Sequence, residues 1–221
     1  MPIINLVYEA PEQWWQPWAN TVAYYPLVAD FNDESWNNKD LSTYTWTPTI
    51  TTLNWVSCAY YDWSSISRNT SISAPIANRT IMAWLNCTGS GRIMWVWSNV
   101  SAYWDYWQSW LQLNNALCID DTRDVYSTTQ TLPSWWFHLC LAQSWATCTM
   151  YINWQYIQEA NNMPTTWNSA TWTMVVLGGK ANYSYSEKYT WYISNAIVED
   201  KTWNATEVSD YYNQTKWYYW L

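Results

Sequence analysis

Trp135-Trp-Phe-His-Leu-Cys-Leu-Ala-Gln-Ser-Trp-Ala-Thr-Cys-Thr-Met-Tyr-Ile-Asn-Trp-Gln155 reads as two strands joined by a turn. Phe137, Leu139 and Leu141 alternate with His138, Cys140 and Ala142, the period of two that gives a strand one buried face. The polar break Gln143–Ala146 turns the chain back, and Thr147–Ile152 resumes with β-formers. The second strand then ends at Asn153-Trp154. A two-residue hairpin turn asks for positive φ, which Asn-Gly supplies at little cost and Asn-Trp does not.

The same misfit recurs along the chain. The sequence has 23 Trp and only 4 Gly in 221 residues, where the usual share of roughly 7% would give about 15 Gly. Asn54-Trp55, Asp62-Trp63, Asn153-Trp154, Ser35-Trp36-Asn37 and Thr202-Trp203-Asn204 all place Trp where turn chemistry asks for Gly. A bulky aromatic at positive φ is strained. The expectation is that most of these Trp are glycines, encoded by UGA codons that the source lineage reads as Gly. The alternative is a protein with a truly Trp-rich surface. Trp84, inside Ile-Met-Ala-Trp-Leu-Asn, and Trp136, before the central strand, suit a buried aromatic on a pleated face and belong to the protein under either reading.

Length suggests one domain of the larger all-β kind, running from residue 21 to 221, with residues 1–20 as a linker or edge segment. That lead-in holds Pro2, Pro11 and Pro17. A net charge of -8 offers nothing to neutralise phosphates and argues against a nucleic-acid partner. Aliphatic runs as short as Val175-Val176-Leu177 give no transmembrane helix. No basic region precedes an apolar one at the N-terminus, so no signal peptide is visible and Met1 is expected to begin a fragment or excised domain. Cys58, Cys87, Cys118, Cys140 and Cys148 match no zinc spacing and read as buried thiols. Cys140 and Cys148 flank one hairpin and pair only if the register lets them face each other.

Taken in order, Val22–Leu27, Thr47–Leu53, Val56–Tyr61, Thr80–Asn86, Arg92–Val96, Leu111–Leu113 and Ala116–Ile119 read as short strands separated by polar turns. Tyr156–Gln158, Trp172–Leu177 and Tyr189–Val198 follow the central hairpin. That spacing predicts a sandwich or barrel. Only one segment reads as helix: Asn204-Ala-Thr-Glu207 has the form of a capping box, and Val208, Tyr211 and Tyr212 then share one face.

The order of these segments resembles bacterial laminin-G-like domains of the concanavalin A-like lectin/glucanase superfamily. With Trp read as Gly, Val22–Asn37 is similar to that family's opening, and Cys58–Ser64 to its Tyr-x-Asp-Gly-Ser strand end. Thr80–Asn86 resembles Thr-Ile-x-Ala-Trp, Trp136-Phe-His138 its Trp-x-His, and Tyr151–Trp154 its Tyr-Val-Asn-Gly hairpin. Leu177-Gly-Gly179, Trp191–Ala196 and Asn204–Asn213 are similar to Leu-Gly-Gly, Gly-x-Ile-Asp-x-Val and the closing helix. The resemblance implies an all-β, two-sheet antiparallel jelly-roll sandwich with one short C-terminal helix. It also implies a calcium ion near a loop rim, for which Asp30, Asn32 and Asp33, approached by Glu199 and Asp200, offer hard oxygen donors.

A glycosidase of this architecture needs two carboxylates flanking the scissile bond. Asp120, Asp121 and Asp124 sit in a turn, and Glu199-Asp200 are adjacent; neither gives the Glu-x-Asp-x-x-Glu cluster of the glucanases. His138 is the only His, and Cys140 lies two residues along the same strand face, which is no attack geometry. For a sugar, Trp95, Trp97, Trp104, Trp107 and Trp110 with Tyr103 and Tyr106 form an aromatic platform; if the Trp are Gly, Tyr103 and Tyr106 remain. The expected function is therefore a non-catalytic carbohydrate-binding or adhesion module of an extracellular or surface protein, with a glycan or a cell-surface protein as partner. A structural sandwich domain of an appendage is the alternative, and a glycosidase with an unseen carboxylate pair a third class.

Overall fold

The computed structural model describes residues 17–43, 47–62, 67–72, 78–87, 91–98, 108–113, 117–120, 125–127, 133–161, 173–178 and 191–221. One sheet holds Thr21–Tyr25 (β1), Thr49–Leu53 (β3), Val56–Tyr61 (β4), Asn78–Cys87 (β6), Phe137–Ser144 (β11), Thr147–Ile152 (β12), Gln155–Ala160 (β13) and Trp191–Glu199 (β15). The other holds Ser42–Thr43 (β2), Ser67–Ile72 (β5), Gly91–Ser98 (β7), Gln108–Leu113 (β8), Leu117–Asp120 (β9), Val125–Ser127 (β10) and Thr173–Leu177 (β14). The eight-stranded sheet runs β13-β12-β11-β6-β15-β4-β3 with β1 on β15, and the seven-stranded sheet β10-β9-β8-β7-β14-β5-β2. All pairings are antiparallel. The non-consecutive neighbours are the crossovers of a jelly-roll sandwich, so the expected all-β fold is the one observed.

The central hairpin forms as its alternation demands. Leu139 lies opposite Ile152 and Ser144 opposite Thr147. Phe137, Leu139 and Leu141 join Ile81, Ala83, Leu85, Met150 and Ile152 in the core, with Val175 and Leu177 from the second sheet. Cys140 and Ala142 point the other way, beside Met82, Trp84 and Tyr151. Each aliphatic side chain moved fully from water contributes about 2 kcal/mol to this arrangement.

That outer face is closed by the helix Ala205–Thr215 (α1) and the 3-10 turn Lys216–Tyr219. Asn204 accepts from the N–H groups of Thr206 and Glu207 at 2.9 and 3.0 Å, and Glu207 reaches back to the Asn204 N–H at 2.9 Å. The predicted capping box is thus complete. Val208, Tyr211, Tyr212 and Tyr219 pack on Trp84, Trp136 and Trp203. Trp84 is the centre of this layer. Tyr219 stacks on it at 4.0 Å, Tyr212 at 5.6 Å, and its indole N–H donates to Thr215 at 3.1 Å.

The cysteine pairing is not available. Cys140 opposes Tyr151 while Cys148 opposes Gln143, and the two lie on opposite faces, one under α1 and one between the sheets. Both are free, as is Cys58. A bridge would require one strand to turn over, because alternation fixes the face of every side chain. Residues 1–16 of the expected lead-in lie outside the described residues; Trp18 is inside them and stacks on Trp203 at 4.9 Å.

Candidate functional site

The loop that follows β1 is organised by Asp33. One carboxylate oxygen accepts from the Tyr24 and Ser35 N–H groups at 2.8 and 2.9 Å; the other accepts from the Ser35 hydroxyl and the Lys39 N–H, both at 2.8 Å. Asn37 ties the same loop to the Thr21 and Val22 carbonyls. Asp30 accepts from the backbone and side-chain nitrogens of Asn32, an Asx turn at the surface. Asp33 therefore uses its oxygens to hold backbone, and Asp200 is exposed at the end of β15. Among the described residues no group of three or more His, Cys, Asp or Glu side chains is placed to hold a metal ion. Asp30, Asp33 and Asp200 are not brought together as a ready calcium cage.

Glu199 is a different kind of carboxylate. It is fully buried and accepts from the Thr21 hydroxyl at 2.7 Å, which itself accepts from the Trp18 N–H. Its second oxygen has no hydrogen-bond partner. Burial pushes its acid group up to about 7. The neighbouring Lys201 pairs with Glu207 of α1.

His138 sits beneath α1, its ring 5.3 Å from Trp84 and 5.1 Å from Tyr211. Neither ring nitrogen has a hydrogen-bond partner, and burial holds it neutral down to about pH 3. Cys140 on the same face is fully buried, and its thiol is pushed well above the usual range. A buried, neutral imidazole walled in by aromatics is a packing element of the sheet–helix layer. Asn153 fixes the strand around it, accepting from the His138 N–H and donating its own N–H to the His138 carbonyl, both at 2.9 Å.

Sequence reasoning missed two polar features that long-range pairing creates. Arg79 is buried and donates twice to the Gln143 side chain at 3.0 and 3.2 Å, across the β6–β11 register. Asn195 interrupts β15 with a φ of 49° and a register shift against β6. Trp191 and Ile193 face the inter-sheet core before it, Ala196 and Val198 after it, so the bulge flips the alternation by one residue. An Asn inside Ile-Ser-Asn-Ala-Ile was the available signal.

Tyr103 and Tyr106 lie outside the described residues, as do Asp121 and Asp124; the two tyrosines belong to the connection 99–107 between β7 and β8 of the seven-stranded sheet. The helical layer sits on the other sheet, where all four buried residues of α1 lie or abut the aromatic cluster. No described helix is long and apolar enough to cross a membrane.

No known family profile matches the chain, and no characterised protein matches it in sequence. Solved structures do match in fold. Domain 4 of an extracellular GH43 arabinanase from Geobacillus stearothermophilus, solved in complex with arabinotriose, gives a TM-score of 0.68 at 15% identity, over 86% of this chain and 97% of that one. Trypanosoma rangeli sialidase gives 0.64 at 10% identity over 92% of this chain and 34% of its own. The binding domain of Paraclostridial Mosquitocidal Protein 1 gives 0.64 at 14% identity over 88% of this chain and 52% of its own. At these identities the likeness establishes the β-sandwich fold. The chain spans about a third of the sialidase and about half of the toxin domain.

Proposed function

We propose that this chain is a non-catalytic, laminin-G-like module that binds carbohydrate and serves recognition or adhesion as one unit of an extracellular or cell-surface protein. The observation that carries this reading is the asymmetry of the sandwich. The outer face of the eight-stranded sheet is occupied by α1 and the terminal aromatic residues, whereas the seven-stranded sheet has no helical layer among the described residues. In this reading the ligand contacts include Tyr103 and Tyr106, the aromatic residues of the connection 99–107 that stay under either reading of the tryptophans. Neighbours of the same fold include a domain solved with arabinotriose, the binding domain of a mosquitocidal protein and the receptor-binding domain of a botulinum neurotoxin, which supports a sugar or surface receptor as the partner class. The paired carboxylates of a glycosidase have no candidate among the residues discussed above. The two Asn-Trp turns further support reading the turn tryptophans as glycines encoded by UGA; Trp63 of the Asp-Trp pair lies outside the described residues.

The test is a glycan array followed by calorimetry on the best hits, with arabino-oligosaccharides included. Binding that weakens at least about tenfold, or ~1.4 kcal/mol, in Tyr103→Ala and Tyr106→Ala supports the reading. An array without hits favours a purely structural domain, and cleavage of an oligosaccharide points to a hydrolase.

A further inference from the structure

Nine non-glycine residues among the described ones have positive φ: Leu27, Asn38, Asn54, Trp55, Trp145, Asn153, Trp154, Asn195 and Trp220. Four are Asn, which tolerates the left-handed region because its short amide bonds locally. Of the remaining five, four are Trp. Tryptophan is among the worst residues for this conformation, so the coincidence needs a cause.

Each of the four sits where a specific turn calls for glycine. Asn54-Trp55 joins Leu53 to Val56, and Asn153-Trp154 joins Ile152 to Gln155; both loops have two residues with positive φ at each. That is the sign pattern of the type I′ hairpin, for which Asn-Gly is the preferred pair. Trp145-Ala146 joins Ser144 to Thr147 with positive φ at the first position only, the pattern of a II′ turn with Gly leading. Trp220 ends the terminal 3-10 turn at φ 58°, ψ 41°, its N–H returning to the Lys216 and Trp217 carbonyls. That is a left-handed helix cap, where Gly is the usual residue. Burial does not offset the strain, since these four are 84%, 64%, 46% and 68% exposed.

We infer that positions 55, 145, 154 and 220 are glycine in the native polypeptide and that Trp84, Trp136 and Trp203 are tryptophan. The inference rests on the codon reading given above and sorts it position by position, using backbone sign and burial where turn motifs alone fail. Position 203 shows the difference. Its Thr-Trp-Asn context suggested glycine, but Trp203 is fully buried, has no positive φ, and packs against Trp18 and Tyr211. Trp191, aligned with a family glycine, is also fully buried without positive φ, so the backbone makes no demand for glycine there. The consequence for recognition is direct: the exposed indoles at these hairpin tips are not a sugar-stacking surface.

Peptide masses of the protein from its native source across residues 50–60, 143–158 and 201–221 decide it. Glycine at 55, 145, 154 and 220 with tryptophan at 203 is the expected result. Tryptophan at the four turn positions overturns the inference together with the codon reading. Glycine at 203 as well leaves the codon reading intact and overturns the sorting by backbone and burial. A second measurement is the thermal midpoint of the recombinant chain with the four positions changed together to Gly. It is expected to rise by about 10 °C, while Trp203→Gly is expected to lower it. An unchanged or lower midpoint for the fourfold variant counts against strain at these sites.

Discussion

Asn195 donates from its side-chain nitrogen to the Tyr219 hydroxyl at 2.6 Å, joining the bulge of β15 to the last turn of the chain. The same amide accepts from the Tyr24 hydroxyl at 2.8 Å, and the Tyr219 hydroxyl donates to the Ser194 oxygen at 3.0 Å. One left-handed residue thus links β1, β15 and the C-terminal segment while it resets the side-chain alternation. Asn195→Ala loses both amide bonds and puts a less tolerant residue at positive φ, so it should cost about 2–4 kcal/mol. Tyr219→Phe should cost about 1–2 kcal/mol. The double variant should cost less than the sum, because both remove the same bond. Urea denaturation of the four proteins checks this; strict additivity would mean the contact carries no coupling.

Glu199 and His138 give opposite pH dependences. Glu199 has its acid group raised from 4.5 to about 7 by burial, so its contribution is fully present below about pH 4.5 and lost as pH rises through 7. Above that, the folded state holds a buried ionised oxygen with no partner. Glu199→Gln should therefore be more stable than the parent by about 1–3 kcal/mol at pH 8 and nearly equal to it at pH 4.5. Denaturation at the two pH values measures the difference, and an equal gain at both would show that ionisation is not its source.

His138 has its titration lowered from 6.5 to about 3 by burial. Its contribution is present above pH 6.5 and lost as pH falls toward 3, since only the unfolded chain takes the proton. Between about pH 4.5 and 6.5 the two groups have slopes of opposite sign. His138→Phe should flatten the acid limb, removing up to about 1.4 kcal/mol per pH unit of dependence. Stability profiles from pH 6.5 to 4 compare the two; an unchanged acid limb would place the proton elsewhere.

Asp33→Ala removes the acceptor of four bonds in the loop after β1. A loss of about 3 kcal/mol or more is expected, because hydrogen bonds to a carboxylate contribute about 1.5–3 kcal/mol each and do not add fully. Asp33→Asn should recover part of it. Amide exchange at Tyr24, Ser35 and Lys39 should rise in the Ala variant above any global change, which separates a local anchor from a general loss.

Asn204→Ala removes the helix cap and should cost about 1 kcal/mol. Glu207→Ala should cost a similar amount or somewhat more, because it removes both the bond to the Asn204 N–H and the pairing with Lys201; thermal midpoints of the two variants measure it. Tyrosine or tryptophan fluorescence follows both, since α1 covers Trp84 and Trp136.

The sheet hairpins, the capping box and the buried places of Trp84 and Trp136 were legible in the sequence. Each depends on local period or on a cap three residues long, and such patterns survive without knowledge of the partner strand. Composition and the Asn-Trp pairs also showed that Trp stands where turn chemistry usually places Gly. By contrast, nothing local could show that Cys140 and Cys148 face opposite layers, since that follows from a register fixed by the whole sheet.

The site candidates divide along the same line. Asp30, Asp33 and Asp200 were named by chemistry, but only the folded loop shows Asp33 surrounded by N–H and O–H donors of its own chain. The burial of Glu199, the twofold contact of Arg79 with Gln143 and the bulge at Asn195 all arise from residues more than fifty positions apart meeting in neighbouring strands or loops. Sequence by itself determined an acidic chain of short strands, with Trp at turns where glycine is usual. Tertiary structure alone decided which face the helix covers and that Trp191 and Trp203 join Trp84 and Trp136 in the interior, because burial and the sign of φ are set by packing and pairing across the sheet, which sequence neighbours do not contain.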